Sequence, residues 1–172
     1  MLALITWMVY TIISGDEYIK AFNFIIPGIR ITFGATFVSF LIALILGLFL
    51  GIGRISDNKF LSTISRTYIE FVRGIPILIL IFTMAFVVVV DAAEFLNINN
   101  GNVPMIIRAI IALSVFYGAY IAEVFRAGIE SVPVGQREGG ASLGLSERQV
   151  MRHIVLPQAF RNMLPALGND FI

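Results

Sequence analysis

Residues Ile31 to Gly53 run for 23 positions without a charged side chain. As an α-helix this stretch is about 34 Å long at 1.5 Å per residue, enough for the roughly 30 Å hydrocarbon core of a bilayer. Composition agrees: 58% of the 172 residues are hydrophobic and only 13% charged, where a soluble domain has roughly 45–50% and about 25%. The fold class expected is therefore all-α integral membrane. Gly34, Ala43, Gly47, Gly51 and Gly53 recur along the run. Small residues let membrane helices approach closely, so one face is expected to pack against protein.

The remaining segments are read against that span. Leu2 to Ile13 is apolar but too short to cross, Ser14 to Lys20 is a polar break, and Pro27-Gly28 marks the start of the next element. Arg54 to Arg73 mixes polar and apolar residues as an interfacial helix does, with Glu70 and Arg73 spaced to pair. Arg73-Gly74-Ile75-Pro76 breaks that helix, and Ile77 to Val90 forms a second span. Asp91 to Pro104 is a loop with two acids and no basic residue. Met105 to Ala122 is a third span, with Arg108 near its start and Glu123 just past its end. Residues 162–172 begin another apolar element that stops before it can cross, so a last span is expected to be missing. The length allows four or five spans and no soluble domain.

Several chemistries are excluded. There is no cysteine and a single histidine, His153, so thiolate and histidine metal centres are not expected. No GxxxxGK phosphate loop followed by Ser or Thr occurs, and no catalytic constellation is present. A net charge of +1 does not point to nucleic acid. The charges are segregated instead: residues 54–73 hold four Lys or Arg and 124–162 hold five, nine of the twelve, while 91–104 hold none. By the positive-inside rule the two basic segments face the cytoplasm and 91–104 faces outside.

Gly135 to Gln158 is the longest stretch with charge spread along it. Gln136 to Leu143 reads as a short helix closed by Gly144 in the left-handed position. Ser146 is a good N-cap, with Gln149 three residues on to complete a capping box. The second helix runs to about Ile154, and Pro157 limits its continuation. Gly139 and Gly140 each cost roughly 1 kcal/mol in a helix relative to alanine, which implies close approach of another surface, with Leu143 as an apolar knob. The spacing of Gly140, Gly144 and Val150 also fits a DNA-binding helix-turn-helix. The location between spans, and the absence of the rest of a three-helix domain, argue against it.

Glu138-Gly139-Gly140, three residues, Gly144, nine residues, then Ile154-Val155-Leu156-Pro157 resembles the EAA loop of ABC-importer permeases, EAA-x3-G-x9-I-x-LP, with Gly-Gly in place of Ala-Ala. Tyr68 to Pro76 resembles the Y-x-E-x-x-R-G-T-P segment of polar amino-acid permeases, with Ile75 for threonine. Ala119 to Ile129, then Val132-Pro133 and Gly135-Gln136, is similar to the same family's lead-in to the loop. The resemblance covers residues 28–172, as a permease transmembrane domain with a cytoplasmic EAA loop at about 124–162. Residues 1–27, an N-terminal apolar segment and external loop, lie outside it.

The resemblance implies a multi-span helical bundle of the ABC type I importer permease kind, multi-pass in a prokaryotic inner or plasma membrane. It implies no enzyme activity and no cofactor bound by this chain, with ATP and Mg used by a partner ATPase. The implied partners are ATP-binding cassette ATPase subunits, a second permease copy or homologue, an extracytoplasmic solute-binding protein and a polar amino acid. The implied ATPase-coupling residues are Glu138, Gly139, Gly140, Ala141, Leu143, Gly144, Ile154, Leu156 and Pro157. Glu138 is the charged anchor, Leu143 the apolar contact and Gly144 the hinge of the turn. No residue is assigned to substrate. On the residues alone a second class stays open, a channel or sensor whose loop binds another cytoplasmic protein.

The topology is checked by single cysteines at Asn100 and Ser146. In sealed cells a membrane-impermeant thiol reagent should label Asn100→Cys and leave Ser146→Cys unlabelled until the membrane is opened.

Overall fold

The structure, a computed structural model, describes residues 1–171. It divides into two compact units, the first from Met1 to Phe37 and the second from Val38 onward. Among the described residues there is no strand, which suits a chain whose backbone must satisfy its own hydrogen bonds in lipid.

The first unit holds α1 (Leu2–Ser14) and the start of α2 (Asp16–Arg54). The polar break narrows to Gly15, whose extended backbone separates the two helices. Asp16 and Glu17 already lie in the first turn of α2, where acids favour the positive end of the helix dipole. Pro27 does not start a new element, contrary to the sequence expectation, because α2 runs straight through it. A proline removes one backbone donor and strains one turn. In a helix this long and apolar, the remaining hydrogen bonds outweigh that loss.

The second unit contains the rest of α2, then α3 (Lys59–Gly74), capped by the Asn58 side chain accepting from the Phe60 and Leu61 amides. After the expected break at Ile75-Pro76 come α4 (Ile77–Thr83), a π turn at Met84–Val88 and α5 (Val89–Phe95). These three form one 19-residue apolar helix. Asp91 and Glu94 therefore sit on its last turns and not in a loop. Asn97, at φ 55°, ends it, with the Ile98 amide reaching back to the Ala93 carbonyl and the Asn97 amide to that of Glu94. Asparagine tolerates that left-handed conformation better than other side chains. Next is α6 (Met105–Glu130), which continues past the expected end at Ala122. After it come α7 (Val134–Ser142), α8 (Glu147–Val150), a π turn at Met151–Val155 and α9 (Leu156–Phe171).

Among the described residues three helices are long and apolar enough to cross a membrane: α2, the α4–α5 helix and α6. The four or five allowed by length are not reached there. α1 is too short, and α3 and α9 bury one face while exposing charges on the other.

Helix α6 is the centre of this unit, touching α3, α4, the first π turn and α9. Ile121, Ala122 and Ala119 on it are wholly buried. Its contact with α2 depends on missing side chains. A β-carbon on Gly47 would lie 2.6 Å from Ile121 Cγ2, and one on Gly51 would lie 2.9 Å from Phe125 Cβ. The expected small-residue face thus exists at Ala43, Gly47 and Gly51, all buried on α2, whereas Gly34 has open space around it. One turn beyond Phe125, a β-carbon on Gly128 would lie 2.8 Å from Met163 Cγ of α9. A second cluster joins Val72, Leu80, Phe116 and Ala119, and burial pushes the nearby Tyr68 phenol above its ordinary pKa. The Tyr68 hydroxyl donates to the Val115 carbonyl at 2.8 Å, tying α3 to α6.

Gly47→Ala should cost about 1–3 kcal/mol through overpacking, while Gly34→Ala should cost nothing measurable. Thermal unfolding of the two variants in detergent, scored against the unaltered protein, checks the difference.

Candidate coupling site

The segment after α6 begins with a capped helix end. The Ser131 amide bonds the Ala127 carbonyl and Val132 is buried. Pro133 then precedes α7, where a missing N–H is harmless. Arg137 on α7 donates from Nη2 to the Ile129 carbonyl at 3.1 Å, which holds the short helix against the end of α6.

Helix α7 closes by a Schellman arrangement. The Leu145 amide reaches the Gly140 carbonyl at 3.2 Å and the Gly144 amide reaches that of Ala141 at 2.9 Å. Gly144 takes φ +80°, the left-handed conformation expected of it. Ser146 then opens α8 with a complete capping box, Gln149 returning its side chain to the Ser146 amide. The turn is thus fastened from both sides.

The two glycines divide their work. A β-carbon on Gly140 would meet Ile154 Cδ1 at 2.6 Å and Val150 Cγ2 at 2.9 Å, so Gly140 lets α7 lie on the following helix. Gly139 is exposed with nothing within 4 Å. Glu138, Ala141 and Leu143 share the outer surface with it, Leu143 being 82% exposed. Ile154 turns inward toward Gly140, while Leu156 and Pro157 are exposed at the start of α9.

Pro157 does not limit the second helix, which corrects the sequence reading. In a regular α-helix its ring would clash with the carbonyl four residues back. The preceding π turn, closed by the Leu156 amide on the Met151 carbonyl, widens the backbone there. The helix continues as α9, and Val150, Val155, Ala159, Met163 and Leu167 join the core with Ile121 and Phe125 of α6. Gln158 Nε2 also donates to Gln136 Oε1 at 3.3 Å, and Asn162 Nδ2 to Ser131 Oγ at 2.9 Å. Helix α7 therefore rests on elements that are themselves keyed to α6. At the far end of α9, burial raises the Asp170 carboxyl above its usual pKa.

Glu123, which the sequence places just past the end of the third span, is a hub in the structure. Its carboxylate accepts from Arg54 Nη1 of α2 at 2.6 Å and from Arg126 Nη2 at 2.5 Å, and lies 3.8 Å from Arg73 Nη1 of α3. Glu123 is 21% exposed and Arg54 16%. Arg126 also pairs with Glu130, and Arg73 lies over the Tyr120 ring. The expected Glu70–Arg73 pair is absent: Glu70 pairs with Arg66 one turn away, leaving Arg73 for Glu123. The spacing of Glu123, Arg126 and Glu130 was a usable signal for the local pairs. Nothing in the sequence pointed to Arg54. Arg108 lies apart, its Nε donating to the Val103 carbonyl at 3.1 Å.

Residues 43–172 match the family model of binding-protein-dependent transport system inner membrane components. The chain belongs to this family. It is 39% identical over 151 residues to a probable amino-acid ABC transporter permease protein, YckA of Bacillus subtilis (strain 168), covering 88% of this chain and 63% of that relative. It is also 39% identical over 150 residues to the glutamate transport system permease protein GluD of Corynebacterium glutamicum, covering 87% and 53%. A crystal structure of an amino acid ABC transporter with histidines superposes with a TM-score of 0.79 at 33% identity, over 90% of this chain and 69% of that one. The chain thus spans less than two thirds of the length of either permease relative. As a member of an inner-membrane transport family with three candidate spans, it is a multi-pass membrane protein of the all-helical permease fold.

Removing the hub carboxylate leaves Arg54 and Arg73 converging without a counter-charge and Arg126 with Glu130 alone. Glu123→Ala should destabilise by about 2 kcal/mol, between the value of an exposed pair and that of a fully buried one. Glu123→Gln, which keeps hydrogen-bond acceptance, should lose less. Unfolding midpoints in detergent for the two variants check the order.

Proposed function

We propose that this chain forms the translocation domain of the permease subunit of an ATP-driven importer for polar amino acids, and that α7 is the helix through which a separate ATPase drives it. Family membership and the amino-acid permeases among its relatives support the transport class. The observation that carries the coupling reading is Gly139. It is a costly residue for a helix interior, yet the chain has room for a β-carbon there. Its small size serves a surface outside this chain. Glu138 and Leu143 on the same outer face supply a charge and an apolar contact for that surface.

The Schellman closure and the capping box together give α7 the stiffness that a transmission element needs. ATP binding and hydrolysis can bias inward- against outward-facing states only if the docked helix makes contacts of different energy in the two. A floppy loop would absorb the motion. The capped turn passes it to α9 and α6 through Gly140, Val150 and Val155. In this reading the ATPase uses ATP and Mg, and this chain binds no cofactor. A second permease copy or homologue completes the pathway, and an extracytoplasmic binding protein delivers the amino acid.

The test is Gly144→Val and Glu138→Lys in the full-length permease with its partners. A β-carbon at a left-handed position costs roughly 1–2 kcal/mol, and reversing a charge at an interface costs several. Both variants should reach the membrane at normal levels, retain the ATPase poorly on purification and lose uptake. Arg148→Glu on α8 should be milder. Normal transport with the ATPase still bound in both would reject the coupling role.

A further inference from the structure

Helix α3 is tethered between two candidate spans. Four residues separate it from the end of α2, and Ile75-Pro76 alone separate it from the apolar α4–α5 helix. The Ser62 hydroxyl donates to the Arg54 carbonyl at 3.0 Å, and Arg73 Nη1 lies 3.8 Å from Glu123, which fastens its first and last turns to α2 and α6. The helix is thus kept at the membrane surface, on the side that the positive-inside rule assigns to the cytoplasm. We propose that α3 is a lipid-binding helix whose Lys59 and Arg66 each hold the phosphate of an anionic phospholipid of that leaflet. The coupling reading of α7 plays no part in this.

The helix has three distinct edges. Ser65, Ile69 and Val72 are buried. At about 100° per residue, Phe60, Ile64 and Phe71 share a second edge, and each is half or more exposed. An aromatic edge that the protein leaves bare, on a helix held at this level, is covered by the acyl boundary of the bilayer. Lys59, Arg66 and Arg73 are seven residues apart and share the third edge, about 140° round from the second. From there long basic side chains lay their stems along the helix and place their charges among the headgroups.

Charge selects the lipid. Three basic residues of α3 stand against one acid, Glu70, for a net charge of +2, with Asp57 in the turn before. Arg73 is engaged by Glu123 and the Tyr120 ring and belongs to the bundle. Arg66 faces Glu70 at 3.6 Å with both side chains well exposed. An exposed pair of that kind contributes little, whereas a phosphate offers a guanidinium two parallel hydrogen bonds. Lys59 has no ion-pair partner among the described residues. Unpaired cations occur elsewhere in the chain. Lys59 and Arg66 differ in standing beside an exposed apolar edge on a helix pinned between two spans. Anionic lipid gives the cytoplasmic leaflet its negative surface potential, which attracts such a helix.

The experiment places the full-length permease in vesicles of phosphatidylcholine and phosphatidylglycerol in equal parts. Thr67→Cys, exposed between the basic and apolar edges, carries a fluorophore that brominated acyl chains quench, and one lipid or the other is brominated. Quenching should report phosphatidylglycerol held about fivefold more strongly than phosphatidylcholine, the effect of one basic side chain near an anionic surface. Lys59→Gln with Arg66→Gln should bring the two lipids to parity. Both side chains are exposed, so the fold is kept. Arg66→Lys, and Arg148→Gln on α8, should retain the preference. Equal quenching by both lipids overturns the proposal, as does a preference that survives the double substitution. A matching loss in Arg148→Gln also overturns it, by tracing the preference to net charge alone. Quenching by neither lipid overturns it too, and shows that protein covers this face. The measurement needs neither ATPase nor transport, so each of these results leaves the coupling reading where it stood.

Discussion

Helix α6 can occupy the middle of its unit only because its neighbours withdraw their side chains where it passes. Gly47 and Gly51 on α2 let Ile121 and Phe125 press almost onto backbone. One turn further along the same face, α6 itself withdraws at Gly128 to receive Met163. In lipid there is little hydrophobic gain from bringing two apolar helices together, so contact area and close dispersion must hold them. Each missing β-carbon increases that area. The position of α9, and of everything that rests on α9, depends on how closely α6 can be approached.

Polar contacts then fix which helices meet at that centre. Glu123 draws arginines from α2, from α3 and from its own helix onto one carboxylate. Partly buried charges of this kind add specificity more dependably than stability. Close packing sets distance and the hub sets partner choice. The segment after α6 adds a third layer, because α7 touches the core through Gly140 and the Arg137 bond to Ile129.

What could be read from sequence was mostly local. The Gly144 turn and the Ser146–Gln149 capping box depend on residues within a few positions of one another, and they appeared where composition placed them. The small-residue face of α2 was legible as a recurrence, although recurrence alone did not separate Gly47, which is packed, from Gly34, which is open. Breaker residues misled at Pro27 and Pro157, since their local cost is set against long helices that the rest of the chain supports. Arg73 was assigned the nearest acid along the chain, while its partner lies fifty residues on. The division of labour between Gly139 and Gly140 was also out of reach, because identical residues differ only in what faces them.

The π turn at Met151–Val155 sets the rotational phase of α9. A regular α-helix advances about 100° per residue, and a π turn accommodates one extra residue without breaking the helix. Ala159, Met163 and Leu167 are spaced as a stripe, and that stripe meets α6 because the wide turn has already rotated it there. With the turn regularised to α geometry, the same residues would point about a quarter-turn away and Gly128 would face a different side chain. The turn acts as a phase shifter between the part of the chain that would touch a partner and the part that packs in the bundle. The amino acids of α9 are thus matched to the winding of the five residues before them as much as to the helix they pack against.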